Sequence, residues 1–238
     1  MDIKKKITIC ACASRTFIDK EKVASLAAQA EKAGWQVEIV PDLCELAEDK
    51  DSKMADIATT VVAACHERAV KSLLAFCEQQ APALINLRTG SVEEAIAKLH
   101  ESTEASPDDS LKEKYLEMIS AMPKKLGEDA WYPCIDKDVC GECGKCLDFC
   151  PFGVYEMVND RIRVVHPHNC KNNCPACART CPANAIIFPK YERQPINGGI
   201  EREENAVQLD TKTLYTKAFK ERLEHRRSLT KGGLIYDK

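Results

Sequence analysis

The chain has 238 residues, enough for one substantial core plus a smaller domain. Its formal net charge of -3 gives no electrostatic case for nucleic acid or an anionic membrane surface. No apolar run approaches the ~20 residues of a membrane helix, and residues 7–13, behind a basic start, are too short and cysteine-rich for a signal peptide. The expected location is therefore cytoplasmic, and fourteen cysteines there point to metal or redox chemistry rather than to disulfides.

Residues 1–103 alternate strand and helix. Lys6–Cys10 is a short β-rich run. Asp19 can cap a helix from Lys20, whose apolar positions Val23, Leu26, Ala27 and Ala30 keep helical spacing until Gly34 ends it. Residues 35–40 read as a second strand and 45–56 as a polar helix. Residues 57–64 form a third, nearly all-apolar strand, as in a parallel sheet covered on both faces. A helix over about 67–80 leads to a fourth strand, 83–87. Ser91 with Glu94 three residues on then marks a capping box. This alternation predicts an α/β open parallel sheet of Rossmann-like type. No G-x-G-x-x-G follows any strand, so no dinucleotide site is expected.

Residues 104–130 read as a charged helical linker closed by Pro123 and Gly127. Residues 131–190 contain nine cysteines and few long apolar runs, so this region needs metal to fold. Residues 191–238 read as an extended loop followed by a C-terminal helix from Asp210 to about residue 227, with Leu214, Ala218 and Phe219 on one side. That stripe is expected to dock on the body or on a partner.

Cys140, Cys143, Cys146 and Cys150 are spaced C-x2-C-x2-C-x3-C, followed by Pro151. Cys170, Cys174, Cys177 and Cys181 repeat the block as C-x3-C-x2-C-x3-C, followed by Pro182. Three close thiolates on a tight loop can reach three corners of one cubane, and the fourth starts a short helix that points away. Four-cysteine sites also bind zinc, but usually as two pairs with a longer gap and without an interlocked repeat. Across residues 131–190 the pattern resembles the bacterial two-cluster (2x 4Fe–4S) ferredoxins, a small α+β dicluster domain. In that family the fourth cysteine of each block ligates the other cluster. The resemblance implies one cluster on Cys140, Cys143, Cys146 and Cys181, and a second on Cys170, Cys174, Cys177 and Cys150. The extra residue in Lys171-Asn172-Asn173 widens the second loop, and the two potentials are expected to differ. Residues 154–165 read as a hairpin around Asn159-Asp160, with 186–188 as its pairing strand. Cys134 reads as a small buried residue of a first strand.

Cys10 and Cys12 lie two apart at the end of the first strand and face the same way. Cys44 follows the second strand, and Cys65 ends the third. All four sit at the carboxyl ends of parallel strands, where open α/β folds bind ligands, and could hold a third iron–sulfur cluster. The alternatives are reducible thiols, a local redox pair, or simple packing. Cys10-x-Cys12, Asp42-Leu43-Cys44, the strand ending at Cys65 and Ile85-Asn86-Leu87-Arg88 resemble the N-terminal domain of the flavin-carrying subunit of heterodisulfide reductase over residues 5–90. That domain is associated with an iron–sulfur cluster, although the flavin-binding domain that follows it there is missing here. Cys77 is expected mid-helix in the core, and His66 and Arg68 as ordinary groups at a helix start.

No residue of the cluster region is placed for acid–base chemistry, so no catalytic residue is assigned. The reading is an iron–sulfur electron-transfer protein, or an oxidoreductase subunit, passing single electrons from a donor to an acceptor protein in anaerobic metabolism. Neither nucleic acid nor membrane insertion is expected. A thiol/disulfide reductase component with catalysis at the N-terminal cysteines, or a redox sensor, are the alternatives.

Overall fold

The computed structural model describes residues 5–80, 83–99, 109–123 and 129–199. The expected helix from Asp210 lies outside them. The described residues belong to one compact unit.

Four parallel strands form the N-terminal sheet: β1 (Lys6–Cys10), β2 (Gln36–Val40), β3 (Val61–Ala64) and β4 (Ala83–Asn86), in spatial order β2-β1-β3-β4. In register, Ile9 faces Ile39 on one side and Ala63 on the other. With every pair parallel, all four carboxyl ends share one rim. Strands β1 and β3 are central and almost wholly buried; β3 is all apolar, and the one buried polar side chain of β1, Thr8, is hydrogen-bonded to Thr60 at 2.8 Å.

Helix α1 (Lys20–Lys32) starts where Asp19 accepts from the Glu21 N–H at 2.9 Å. It ends before Gly34, whose φ of +84° is left-handed. The chain between β2 and β3 departs from the sequence expectation. Two short helices, α2 (Leu43–Glu48) and α3 (Lys53–Ile57), replace one, because Lys50 turns left-handed between them and Asp42 caps α2 early. Ile57 ends α3 rather than opening β3, and the Thr60 hydroxyl donates to the Ile57 carbonyl at 2.9 Å as the chain turns. Helix α4 (Glu67–Phe76) also stops short of residue 80. Cys77 is therefore its C-cap rather than mid-helix, with its thiol directed at the Ala47 carbonyl, 3.5 Å away.

Helix α5 (Val92–Lys98) carries the expected capping box. Ser91 Oγ accepts from Glu94 N at 3.1 Å, and Glu94 Oε2 accepts from Ser91 N at 3.0 Å. Ser91→Ala is expected to cost about 1 kcal/mol, read as a lowered urea midpoint. Helix α6 (Asp109–Ser120) falls within the stretch read as a linker, but it packs along α1. It buries Tyr115 and Ile119, and the Tyr115 hydroxyl donates to Glu31.

The cysteine-rich region has little sheet. β5 (Cys134–Ile135) pairs antiparallel with β8 (Ile186–Ile187), and β6 (Tyr155–Val158) with β7 (Arg161–Val164). The β6–β7 hairpin turns at Asn159 and Asp160, both at positive φ. Its expected third strand is corrected: residues 186–187 pair with β5, so Cys134, fully buried, sits opposite Ile187. Two five-residue helices, α7 (Lys145–Phe149) and α8 (Ala176–Thr180), precede Cys150-Pro151 and Cys181-Pro182. A proline pushes the residue before it out of the helical region. Cys150 and Cys181 are accordingly extended, at ψ 110° and 114°, and each short helix ends on the fourth cysteine of its block, a correction to the expectation that it starts there.

Polar and aromatic contacts join this region to the sheet. Phe76 packs on Tyr132 with centroids 5.4 Å apart, and Arg68 pairs with Asp136 at 2.5 Å. Arg88 donates to the carbonyls of Pro189 (3.1 Å) and Tyr191 (2.9 Å), holding the chain that leaves β8 against the rim beyond β4.

Candidate metal centres

The first site lies on the sheet rim. Cys10 ends β1, Cys12 follows at positive φ, Cys44 opens α2 and Cys65 follows β3. These four cysteines line one pocket with Asp42, Phe17, Leu73 and Lys190. A water-sized void of about 20 Å³ lies between them, within about 350 Å³ of atom-free space that opens to the mouth. The Leu43 N–H points at Cys10 Sγ from 3.4 Å. Four sulfur donors from three loops, with a backbone donor aimed at one of them, form a set that suits a thiolate-bound cluster.

Burial pushes the Cys10 and Cys44 thiols well above the usual thiol range, and the Asp42 carboxylate adds to it. Burial and Asp42 also raise Cys12, while burial followed by Cys12 pushes Cys65 up to about 12. Metal-free, these are inert protonated thiols rather than reactive nucleophiles.

Sequence reasoning missed Lys190. It is 3% exposed, and its ammonium reaches Asp42 (2.8 Å), Ser14 Oγ (2.7 Å) and Asp129 (3.9 Å). Burial works against its charge, but Cys44, Asp42 and Asp129 outweigh that and raise its pKa. Nothing in Phe188-Pro189-Lys190 advertises this role, because the lysine meets its partners only through tertiary folding. Arg88 lies over the Phe17 ring at 4.1 Å. Burial, then Arg88, lowers His66 to about 4, so it is neutral at pH 7. Arg68, read as an ordinary group, bridges to Asp136 and the Asn184 carbonyl.

In the cysteine-rich region, Cys150 meets Cys170, Cys174 and Cys177 around one pocket, walled by Phe149, Pro151 and Tyr155. The Tyr155 hydroxyl donates to Cys177 Sγ at 3.1 Å. Burial raises Cys140, the Glu142 charge adds to it, and Cys181 lies near enough to raise both Cys140 and Cys146 further. The Ala185 N–H donates to Cys181 Sγ at 3.3 Å. Burial also pushes Cys146 and Cys170 up to about 12. Among the described residues, no three or more His, Cys, Asp or Glu side chains are drawn tightly enough to grip a single metal ion.

Three links join the rim pocket to the second block. Arg15 pairs with Asp129 at 2.5 Å and donates to Asn173 Oδ1 at 3.0 Å. His168 lies 3.5 Å from Glu48 on α2. Cys170 packs against the cores of both regions.

The 4Fe-4S dicluster domain family matches residues 132–182. An uncharacterised ferredoxin of Methanocaldococcus jannaschii is 44% identical over 82 residues, 34% of this chain and 54% of that protein. The chain thus spans about half of that relative's length. Ferredoxin-3 of a Nostoc species is 34% identical over 89 residues, 28% of this chain and 91% of its own. Pyruvate synthase subunit PorD of Methanothermobacter marburgensis is 39% identical over 62 residues, 26% of this chain and 67% of its own. The repeated cysteine blocks, the helices ended by Cys-Pro and these similarities agree, and the chain belongs to the 4Fe–4S dicluster ferredoxins, with a module for two 4Fe–4S clusters.

Proposed function

We propose that this protein is an iron–sulfur electron carrier, or an electron-transfer subunit of a larger oxidoreductase, in the cytoplasm of an anaerobic metabolism. The observation that carries this reading is the dicluster module seated against a four-cysteine pocket. When bound, the clusters supply one-electron storage. The chain's own residues hold them, exclude water and set their surroundings.

In this reading Cys140, Cys143, Cys146 and Cys181 hold one cluster, and Cys170, Cys174, Cys177 and Cys150 the other. Support comes from the pocket shared by Cys150 with the second block, and from the repulsion between Cys140 and Cys181. Cys10, Cys12, Cys44 and Cys65 hold a third. The α/β part is then a Rossmann-like domain akin to the N-terminal domain of heterodisulfide reductase's flavin-carrying subunit, fused to the ferredoxin module. The Arg15–Asn173 and His168–Glu48 contacts favour the second block as the neighbour of the rim pocket. At the surface, Val139, Phe149 and Phe152 are exposed beside ligand cysteines. They offer apolar contact to a donor or acceptor protein, the role that the pyruvate synthase subunit's similarity also suggests.

Anaerobic spectroelectrochemistry tests the carrier reading. Reversible one-electron steps, with electrons passed on to an acceptor ferredoxin, are expected. Steady turnover of a small disulfide by the reduced protein alone would overturn it in favour of an enzyme.

Proton linkage gives a separate test of the rim site. Each of its thiols must lose a proton to bind iron, and all four are held above the ordinary range. Filling of that site during reconstitution is therefore expected to rise with pH from mildly acidic to mildly alkaline. A flat profile of bound iron against pH would contradict the assignment.

A further inference from the structure

A groove of about 290 Å³ lies where the end of α4 meets β5 and the β6–β7 hairpin, with no cysteine on its lining. Its apolar surface comes from Phe76, Ile135, Val158 and Val164. Around that surface stand three cations, Lys50, Lys137 and Arg163, against one acid, Glu78. The balance is opposite in sign to the whole chain, which carries a net -3.

The cations are held rather than loose. Lys137 Nζ donates to the Ala75 carbonyl at 3.0 Å, and Lys50 Nζ lies 5.3 Å over the Phe76 ring. Arg163 has its backbone set by β7, opposite Glu156 in the hairpin register. Among the described residues, none of the three lies in an ion pair. Burial lowers the Lys137 pKa, repulsion from Arg163 adds to it, and Glu78 offsets it only in part. Crowded like charges over an apolar surface are stabilised by an anion that sits among them and lays its apolar part on that surface. The volume is that of a small molecule, at the lower end for ligand sites.

We propose that this groove binds a small organic anion, its phosphate or carboxylate between Lys50, Lys137 and Arg163 and its apolar part on Phe76 and Ile135. The ligand would touch the end of α4, β5 and the hairpin together, and so brace the junction between the sheet and the cluster module. Phe76 also packs on Tyr132, whose hydroxyl donates to the Cys44 carbonyl at 2.8 Å. The groove is therefore two side chains from the rim pocket.

The test is calorimetric titration of the cluster-loaded full chain, under anaerobic conditions and at low salt, with phenyl phosphate, inorganic phosphate, benzoate and phenol. Saturable one-to-one binding of phenyl phosphate is expected, about tenfold tighter than inorganic phosphate or phenol. The ratio of phenyl phosphate to benzoate affinity assigns the anionic group. Lys137→Ala/Arg163→Ala is expected to weaken binding about tenfold or more with cluster absorbance unchanged. Val158→Asp puts a negative charge on a half-exposed apolar position and should abolish binding even if the double variant loads poorly. No saturation at millimolar phenyl phosphate, or binding that Val158→Asp leaves unchanged, would overturn the proposal.

Discussion

Anaerobically isolated protein is expected to carry about twelve irons per chain, falling to about eight in a Cys10→Ser/Cys12→Ser variant. The expectation follows from the rim pocket. Cys10, Cys12, Cys44 and Cys65 come from three separate loops, and parallel pairing brings those loops to one end of the sheet. Removing two of four ligands leaves too few sulfurs to hold a cubane, while the eight cysteines of residues 140–181 are untouched. The ferredoxin signals in electron paramagnetic resonance should then persist. About eight irons in both proteins would remove the third cluster and return the rim cysteines to thiol chemistry or packing.

Lys190 is expected to give the largest stability effect of any single substitution considered. Lys190→Met would leave the buried Asp42 without its cation, while Asp129 keeps Arg15, and breaking a buried ion pair in this way costs about 3–5 kcal/mol. The Ser14 hydroxyl, which donates to Asp42 and accepts from Lys190, would lose half its bonding. Removing the carboxylate as well, in Lys190→Met/Asp42→Asn, should restore part of the loss, so the two effects will not add. The measurement is the midpoint of urea unfolding of cluster-loaded protein for the two singles and the double. Additive effects would show that Lys190 and Asp42 are not coupled. Among the described residues, the same lysine is the one cation on the lining of the rim pocket. Its removal should lower the reduction potential of a cluster there by leaving added negative charge uncompensated.

The sequence made the cysteine blocks legible because ligation imposes a spacing that local chain geometry must obey. Cys140 to Cys150 and Cys170 to Cys181 could be read residue by residue, but the short helices were placed on the wrong side of the fourth cysteine, because the proline after it ends a helix at Cys150 and Cys181 rather than letting one start there. The parallel sheet was legible from the β-rich run Lys6–Cys10 and the apolar run that ends in Val61–Ala64. Boundaries were not, where one residue's backbone decided them. Lys50 at positive φ splits a polar stretch that otherwise reads as one helix, and Ile57, apolar enough for a strand, ends α3 instead. The pairing of residues 186–187 with β5 was missed because two-residue strands carry no periodicity to set a partner. Lys190, Arg15 and Arg68 were invisible for a different reason. Their partners lie 148, 114 and 68 positions away along the chain.

The rim pocket draws its walls from distant parts of the chain, and this has a consequence for biosynthesis. Its four cysteines have all been synthesised once residue 65 has been made, but Pro189 and Lys190, which complete the lining, come 124 and 125 residues later. At roughly 5–20 residues per second that interval is on the order of 6–25 seconds. During it a growing chain can present the four thiols through an uncovered mouth. If the rim holds a cluster as proposed, its delivery would be easiest in that interval, and hardest once Arg88 has drawn the Pro189 and Tyr191 carbonyls into place.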